Sequence, residues 1–109
     1  MKIYRLQESG SRSMGFTTFE KYFQHESDAK KAFDEKIKEY RKSKDLVKRS
    51  DLDGQKPIRI DDNPRRFGIK KNVVKEAFIA VWDEFHIPEE GTEYDIGSLH
   101  LEIIEIEVA

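Results

Sequence analysis

Three histidines, His25, His86 and His100, are the side chains in this chain best suited to acid–base or metal chemistry. They lie in separate segments, without the His-Glu-x-x-His spacing of a zinc site or the spacing of an iron facial triad. Histidines at the surface or at a sheet edge explain this pattern better than a shared centre. We therefore expect no catalytic residues, no metal site and no cofactor, and a protein that is not an enzyme.

The segment Asp51-Leu52-Asp53-Gly54 has part of the pattern of a calcium-binding loop. An EF-hand loop needs glycine at its sixth position and glutamate at its twelfth. Here glycine falls at the fourth position and Asp62 at the twelfth, so the sequence predicts a turn.

A basic segment between residues 64 and 75 could bind nucleic acid. Basic side chains next to an aromatic ring can hold phosphates and stack on a base. The candidate residues are Arg65, Arg66, Phe67, Lys70, Lys71 and Lys75, which Arg12 could extend. The alternative is a solvated loop, which we favour, because basic loops are common and the pI of 5.9 is low for a nucleic-acid-binding protein.

An acidic segment follows towards the C-terminus. A row of carboxylates can imitate a phosphate backbone and occupy a basic groove on another protein. The candidate residues are Glu89, Glu90, Glu93, Asp95, Glu102, Glu105 and Glu107. The alternative is a charged strand edge that prevents aggregation, and it has slightly more weight.

The net charge of −2 conceals an uneven distribution of charge between residues 1–75 and residues 76–109. Residues 1–75 contain all 20 Lys and Arg against 12 Asp and Glu, and residues 76–109 contain 10 acidic residues and no Lys or Arg. The two segments could attract each other within one fold, which we favour, or they could form two surfaces of opposite sign, one of which meets a charged partner.

The composition indicates one folded domain spanning residues 1–109. Charged residues make up 39% of the chain, but seven Phe, four Tyr and one Trp argue against disorder. The chain has no cysteine, and its longest apolar run, residues 77–82, is far shorter than the ~20 residues of a membrane span. We expect a soluble, cytoplasmic protein without membrane contact.

The elements that position these residues can be read from their periodicity. Residues 2–7 and 16–24 are predicted strands, paired as an antiparallel hairpin through a flexible connection at 8–15. A helix is predicted over about 27–47, with Ser27 as N-cap. Its apolar stripe contains Ala29, Ala32, Phe33, Ile37 and Tyr40.

The second half of the chain is harder to assign. A short strand is predicted at 58–60, a turn at 61–64 and a strand at 99–108, where a β-bulge near Ile103–Ile104 would bring two alternating apolar sets to one face. Residues 73–86 fit a helix or a fully buried strand, and we favour the helix. The predicted fold is α+β: a small, mainly antiparallel sheet, one long helix packed on it, and a second helical or strand segment.

Three stretches resemble small proteins from phages and mobile elements. They are the opening Met-Lys-Ile-Tyr-Arg-Leu, the aromatic strand (16–24) leading into Glu-Ser-Asp-Ala-Lys-Lys-Ala-Phe (26–33), and the close Leu-His-Leu-Glu-Ile-Ile-Glu-Ile-Glu-Val (99–108), about a third of the chain. That class includes inhibitors of bacterial defence systems, anti-CRISPR proteins among them, which bind host proteins directly. The resemblance favours this class of inhibitor, and it implies no catalytic residues in this chain.

Two functions follow from these observations. The first is a non-enzymatic binding protein whose acidic surface meets a host protein, and that partner could be a nucleic-acid-binding protein. The alternative is a nucleic-acid-binding accessory protein that uses the basic segment.

Overall fold

The computed structural model describes residues 1–10 and 17–109, although the side chains at positions 17, 18, 84–87 and 93 lie outside this description. Five strands form one antiparallel sheet with the order β2-β1-β5-β4-β3. The elements are β1 (Lys2–Gly10), β2 (Thr17–Phe23), α1 (Glu26–Lys42), β3 (Ile58–Asp61), β4 (Val73–Ile87) and β5 (Gly91–Glu107). The α+β prediction is therefore confirmed.

The first two strands pair as predicted. Tyr4 lies opposite Phe23, and Leu6 lies opposite Lys21. Strand β1 is longer than expected, because residues 8–10 of the predicted connection continue its pairing with β5. The rest of that connection, with Arg12 and the predicted first strand residue Phe16, lies outside the described residues.

Helix α1 buries the predicted stripe against the sheet, where Ala29, Phe33, Ile37 and Tyr40 are all buried. It ends at Lys42 and not near residue 47. The reason is tertiary: residues 45–47 instead bond to β4, with the Trp82 N–H donating to the Asp45 carbonyl at 2.8 Å. The predicted cap is also wrong, because the N-cap position is His25 and Ser27 lies within the helix.

The favoured helix at 73–86 is wrong, because this segment is strand β4. Ala77, Ile79 and Val81 are buried on the face covered by α1, and Phe78 lies on the opposite face. A central strand with apolar residues on both faces gives a continuous apolar run, which also matches helical spacing. The pairing with β3 and β5 on its two sides decided the outcome.

Strand β5 begins at Gly91, well before the predicted start at Leu99, and its predicted bulge is wrong. Its pairing with β1 is unbroken, and the irregularity lies across from it in β4, between Val73 and Lys75. The two apolar sets therefore face opposite sides of the sheet. Ile103 is fully buried towards α1, and Ile104 is 9% exposed on the other face.

Two smaller predictions agree with the structure. The predicted strand at 58–60 is β3, which extends to Asp61. In the Asp51–Gly54 segment, the first two residues end the short 3-10 helix Arg49–Leu52, and Asp53 and Gly54 form the turn that follows it. Asp53 and Gly54 have φ values of 54° and 84°, in the left-handed region that tight turns use.

The hairpin formed by β4 and β5 gives the molecule its length of 54 Å, against 30 Å and 26 Å in the other directions. The last β1–β5 pair is Gly10–Leu99, and the first β3–β4 pair is Ile58–Ile79. Residues 80–98, which we call the arm, therefore extend as a two-stranded ribbon beyond the described parts of β1 and β3. Hydrogen bonds from residues 45–47 support only its base.

Candidate protein-binding surface

The arm is a regular antiparallel ribbon that ends in a tight turn. Its register pairs Trp82 with Ile96, Asp83 with Asp95, and Ile87 with Gly91. Gly91 closes the turn with a φ of 92°, a conformation that glycine adopts without steric cost. The ladder fixes which side chains share a face, so the arm presents its side chains in a defined order.

Every charged residue of the arm is acidic, since residues 80–98 contain six Asp and Glu and no Lys or Arg. Glu89, Glu90 and Asp95 are exposed, and none of them forms an ion pair with a described residue. The Asp95 carboxylate accepts a hydrogen bond from the Ile96 N–H at 2.8 Å, which leaves its charge in place. Glu89, Glu90 and Asp95 thus carry negative charge that no described cation neutralises.

The arm also exposes apolar surface on the sheet face opposite α1. Tyr94 is 61% exposed and Ile96 is 40% exposed, and Trp82 lies half-buried across from Ile96. Aromatic side chains with a polar tip are common at protein interfaces. Apolar contact area and unneutralised carboxylates therefore occur together on one projecting element.

The remaining predicted acidic residues do not join this surface. Glu102 faces the side opposite α1, where it accepts a hydrogen bond from Gln7 Nε2 at 2.6 Å. Glu107 is exposed near the N-terminal amine, at 3.4 Å. Of the seven predicted residues, Glu89, Glu90 and Asp95 belong to the arm, and Glu93, on the same element, lies outside the described side chains.

Glu105 is largely buried beside the start of β1 and the basic segment. Its carboxylate lies 3.0 Å from Lys2 Nζ and 3.1 Å from an Arg65 nitrogen. The hydrogen bond and the charge of Glu105 raise the pKa of Lys2 above its ordinary value. Glu105 therefore joins segments within the fold.

The basic segment is also largely paired inside the molecule. Arg65 contacts Glu26 at 3.3 Å in addition to Glu105. Arg66 donates to the Asp61 carboxylate, and this hydrogen bond, more than the one from the Asn63 N–H, lowers the pKa of Asp61. Both arginines therefore already have carboxylate partners within the molecule.

The lysines of the basic segment follow the same pattern. Lys75 lies 3.2 Å from both Asp34 and Asp62, and Lys70 lies 2.8 Å from Glu76. Lys71 is exposed and forms no ion pair with a described residue. Phe67 is 69% exposed, with the Arg66 guanidinium 4.3 Å from its ring centre. Lys71 and Phe67 are thus the predicted nucleic-acid contacts left without an internal carboxylate.

The structure reveals a polar cluster around Glu76 that the sequence analysis missed. Glu76 is only 3% exposed, and it accepts hydrogen bonds from Lys70 Nζ at 2.8 Å and His100 Nε2 at 2.9 Å. The His100 ring stacks on Phe78 at 4.6 Å, and Glu102 lies 3.7 Å from His100 Nε2. A charged residue within the apolar run of β4 was the available signal, because a buried carboxylate needs partners.

This cluster brings one imidazole between two carboxylates, but the imidazole nitrogen nearest to them is already bonded to Glu76. Among the side chains that the structure describes, which leave out positions 84–87 and 93, no group of three or more His, Asp or Glu is arranged to hold a metal ion. The expectation of a protein without catalytic activity stays a prediction.

Comparisons with known proteins identified no related protein. No protein-family model matches the chain, and neither the curated proteins nor the solved structures gave a significant match. Within the part of the chain that the structure describes, no helix is both long enough and apolar enough to cross a membrane.

Proposed function

We propose that this protein is a non-enzymatic binding protein whose acidic arm docks into a basic groove on a partner protein. The observation that carries the proposal is the combination on residues 80–98 of unneutralised carboxylates with exposed Tyr94 and Ile96. Glu89, Glu90, Tyr94 and Asp95 are exposed, so a partner can reach both the carboxylates and the apolar surface.

The two features have different roles in this proposal. Acidic side chains attract a basic surface over a distance of about a Debye length, roughly 8 Å at physiological salt, and orient the approach. Burial of Tyr94 and Ile96 then supplies the contact energy, since burying a large apolar side chain contributes about 1.5–3 kcal/mol. Because the ribbon is already hydrogen-bonded, the arm loses little backbone entropy when it binds in the partner's groove.

A nucleic-acid-binding protein is the partner class that fits best, because its basic groove already binds a row of negative charges. We further propose that the protein acts as an inhibitor by occupying such a groove. The resemblance of the chain to small proteins of phages and mobile elements supports this biological setting, and it makes a bacterial lysate the source in which to seek the partner.

The test is affinity capture from a bacterial lysate with the wild-type protein and two charge-reversal variants. Glu90→Lys changes the arm, and Glu35→Lys makes the same charge change at an exposed helix position that forms no ion pair with a described residue. We expect a partner that wild type and Glu35→Lys retain equally and Glu90→Lys retains at least about tenfold less tightly. Equal retention by all three proteins would exclude the arm as the binding element.

The apolar part of the proposal needs a separate variant. Tyr94→Ser removes the exposed ring and leaves every carboxylate in place. We expect it to speed dissociation from the captured partner with little change in the salt dependence, whereas Glu90→Lys should slow association and flatten that dependence. Glu102 and Glu105 are unsuitable for this test, because their reversal would disturb contacts inside the fold.

Nucleic-acid binding through the basic segment is the second candidate. It is supported by exposed Phe67, over which Arg66 lies, and by exposed Lys71. A gel shift with single-stranded DNA at low salt tests it. We expect any shift to disappear with Phe67→Ala, and no shift at micromolar protein would exclude this candidate.

A further inference from the structure

A second charged site lies beside edge strand β3, which neighbours β4 at the base of the arm. A groove of about 620 Å³ runs between the C-terminal turn of α1, the 3-10 helix Arg49–Leu52 and β3. Four basic residues contribute to its walls: Arg41, Arg49, Lys56 and Arg59. Its apolar lining consists of Leu46, Pro57, Ile58 and Ile60.

None of these four cations forms an ion pair with a described carboxylate, whereas Arg65, Arg66, Lys70 and Lys75 of the basic segment all do. Arg41, Arg49, Lys56 and Arg59 are all exposed. Arg59 rests over the ring of Phe78 at 5.8 Å, a contact that leaves its charge uncompensated. The groove therefore has four cations without an ion pair to a described carboxylate, and it adjoins the base of the arm, where Leu46 bridges to Val81.

Strand β3 offers free backbone groups at the same place. In an antiparallel ladder, hydrogen-bonded pairs alternate with pairs whose N–H and C=O groups point away from the partner strand. The Ala80 N–H donates to the Pro57 carbonyl at 2.8 Å, so Pro57 belongs to a bonded pair. Ile58 and Ile60 then turn their N–H and C=O groups outward, towards the groove, since β3 is the last strand of the sheet.

We propose that this groove binds an extended acidic peptide, which adds to the sheet as a strand along β3. The outward groups of Ile58 and Ile60 supply main-chain hydrogen bonds, which is how an exposed sheet edge captures a peptide. Arg41 approaches from the helix side and Arg59 from the opposite face of β3, so acidic side chains on both faces of an added strand meet a cation.

A peptide fits these observations better than a nucleic acid does. A nucleic acid could use the four cations, but it has no regular row of donors and acceptors that matches a strand edge. The apolar residues also favour a peptide, because Ile60 is 42% exposed and can pack against a side chain of the added strand. The free edge would otherwise be open to non-specific strand pairing.

The probe is a fluorescein-labelled peptide of Glu-Glu-Val repeats, followed by fluorescence anisotropy with the full chain at physiological salt. We expect saturable binding that Arg49→Glu weakens by at least about tenfold. Lys38→Glu is the matched control, because Lys38 is exposed on α1, forms no ion pair with a described residue and lies outside the groove lining. It should bind the peptide like wild type.

Strand addition is tested at Ile60. Ile60→Pro removes one outward N–H, a change that an edge strand tolerates, while Ile60→Val keeps the N–H and most of the side chain. We expect loss of peptide binding for the proline variant only, with thermal unfolding confirming that both variants fold. Amide exchange gives a second measure on the wild type, because peptide should slow exchange at Ile58 and Ile60.

Three results would overturn the proposal. The first is unchanged amide exchange at β3 in the presence of bound peptide. The second is a labelled oligothymidine that binds as tightly as the peptide, which would indicate a general polyanion surface. The third is self-association of the protein that Glu89→Lys and Glu90→Lys abolish, which would assign the groove to the arm of a second copy.

Discussion

The hydroxyl of Tyr40 connects α1 to the sheet, because it donates a hydrogen bond to the carboxylate of Glu8 in β1. Tyr40 is 8% exposed and Glu8 is 9% exposed, so water can replace little of this contact. Lys36 Nζ lies 3.4 Å from the same carboxylate. Replacing Tyr40 with phenylalanine therefore removes one hydrogen bond and leaves the charge of Glu8 with fewer partners.

The expected loss of stability in Tyr40→Phe follows from the charge of Glu8, which accepts the hydrogen bond. A hydrogen bond to a charged group contributes about 1.5–3 kcal/mol. Because Lys36 still contacts the carboxylate, we expect Tyr40→Phe to lower the free energy of unfolding by about 2 kcal/mol. With a urea m-value of about 1–3 kcal/mol per molar, the unfolding midpoint should fall by about 1 M. Tyr22→Phe is the matched control, because Tyr22 is 53% exposed and its hydrogen bond to Glu20 lies at the surface.

The pH dependence of the stability difference between wild type and Tyr40→Phe gives a sharper test. Burial, and secondly the hydrogen bond to Glu8, raise the pKa of Tyr40 above its ordinary value. Above pH about 10 the unfolded chain therefore releases a phenolic proton that the folded protein retains, and this favours unfolding. The stability advantage of wild type over Tyr40→Phe should be complete below pH 10. Above it, the advantage should decrease by up to about 1.4 kcal/mol per pH unit.

Urea unfolding of both proteins between pH 8 and pH 11 measures this difference, since other titrating groups affect both alike. A difference in unfolding free energy that stays constant over this range would refute the reasoning. It would mean that the Tyr40 hydroxyl is solvated in the folded protein.

Two further predictions concern packing and the polar cluster. Phe33→Ala should destabilise the protein by about 3–5 kcal/mol in urea unfolding, because Phe33 is fully buried between α1 and the sheet; a loss below 1 kcal/mol would contradict this packing. Lys70→Ala should cost about 1–3 kcal/mol, because it removes one of the partners of buried Glu76. Adding Glu76→Gln to Lys70→Ala should recover part of this loss, and strict additivity in the double-mutant cycle would exclude the coupling.

The helix and the first two strands were predictable, because the pattern of apolar residues within each segment specifies its structure. The stripe from Ala29 to Tyr40 repeats with helical spacing, and α1 forms where the stripe lies. Strands β1 and β2 also follow their alternation and composition, and their antiparallel pairing was foreseen. In each case the apolar residues of one segment specify which face must be buried, so the information is contained within the segment.

Strand β4 was not predictable in this way. Its apolar residues occupy both faces, so neither a period of two nor a period of 3.6 is distinctive. The same limit applies to the long start of β5, since the polar, turn-like residues between Gly91 and Leu99 become a strand only because β4 lies beside them.

The candidate binding surfaces were likewise predictable only in part. The separation of charge along the chain was visible in the sequence, and it already indicated an acidic surface that could meet a partner. The fold decided which charges lack an ion-pair partner. Arg65 contacts Glu105, and Lys70 contacts Glu76, only because separate segments pack together in the folded chain. The unpaired cations around β3 went unnoticed, since Arg41 and Arg59 are far apart in the sequence and meet only across the groove.

Local sequence thus determined the charge of each segment, the helix and the first hairpin, because these depend on neighbours along the chain. Tertiary structure alone decided the state of residues 73–87, the projection of the arm and the distribution of free charge. These depend on contacts between segments, and the energy of such contacts is set by burial and geometry that no single segment contains.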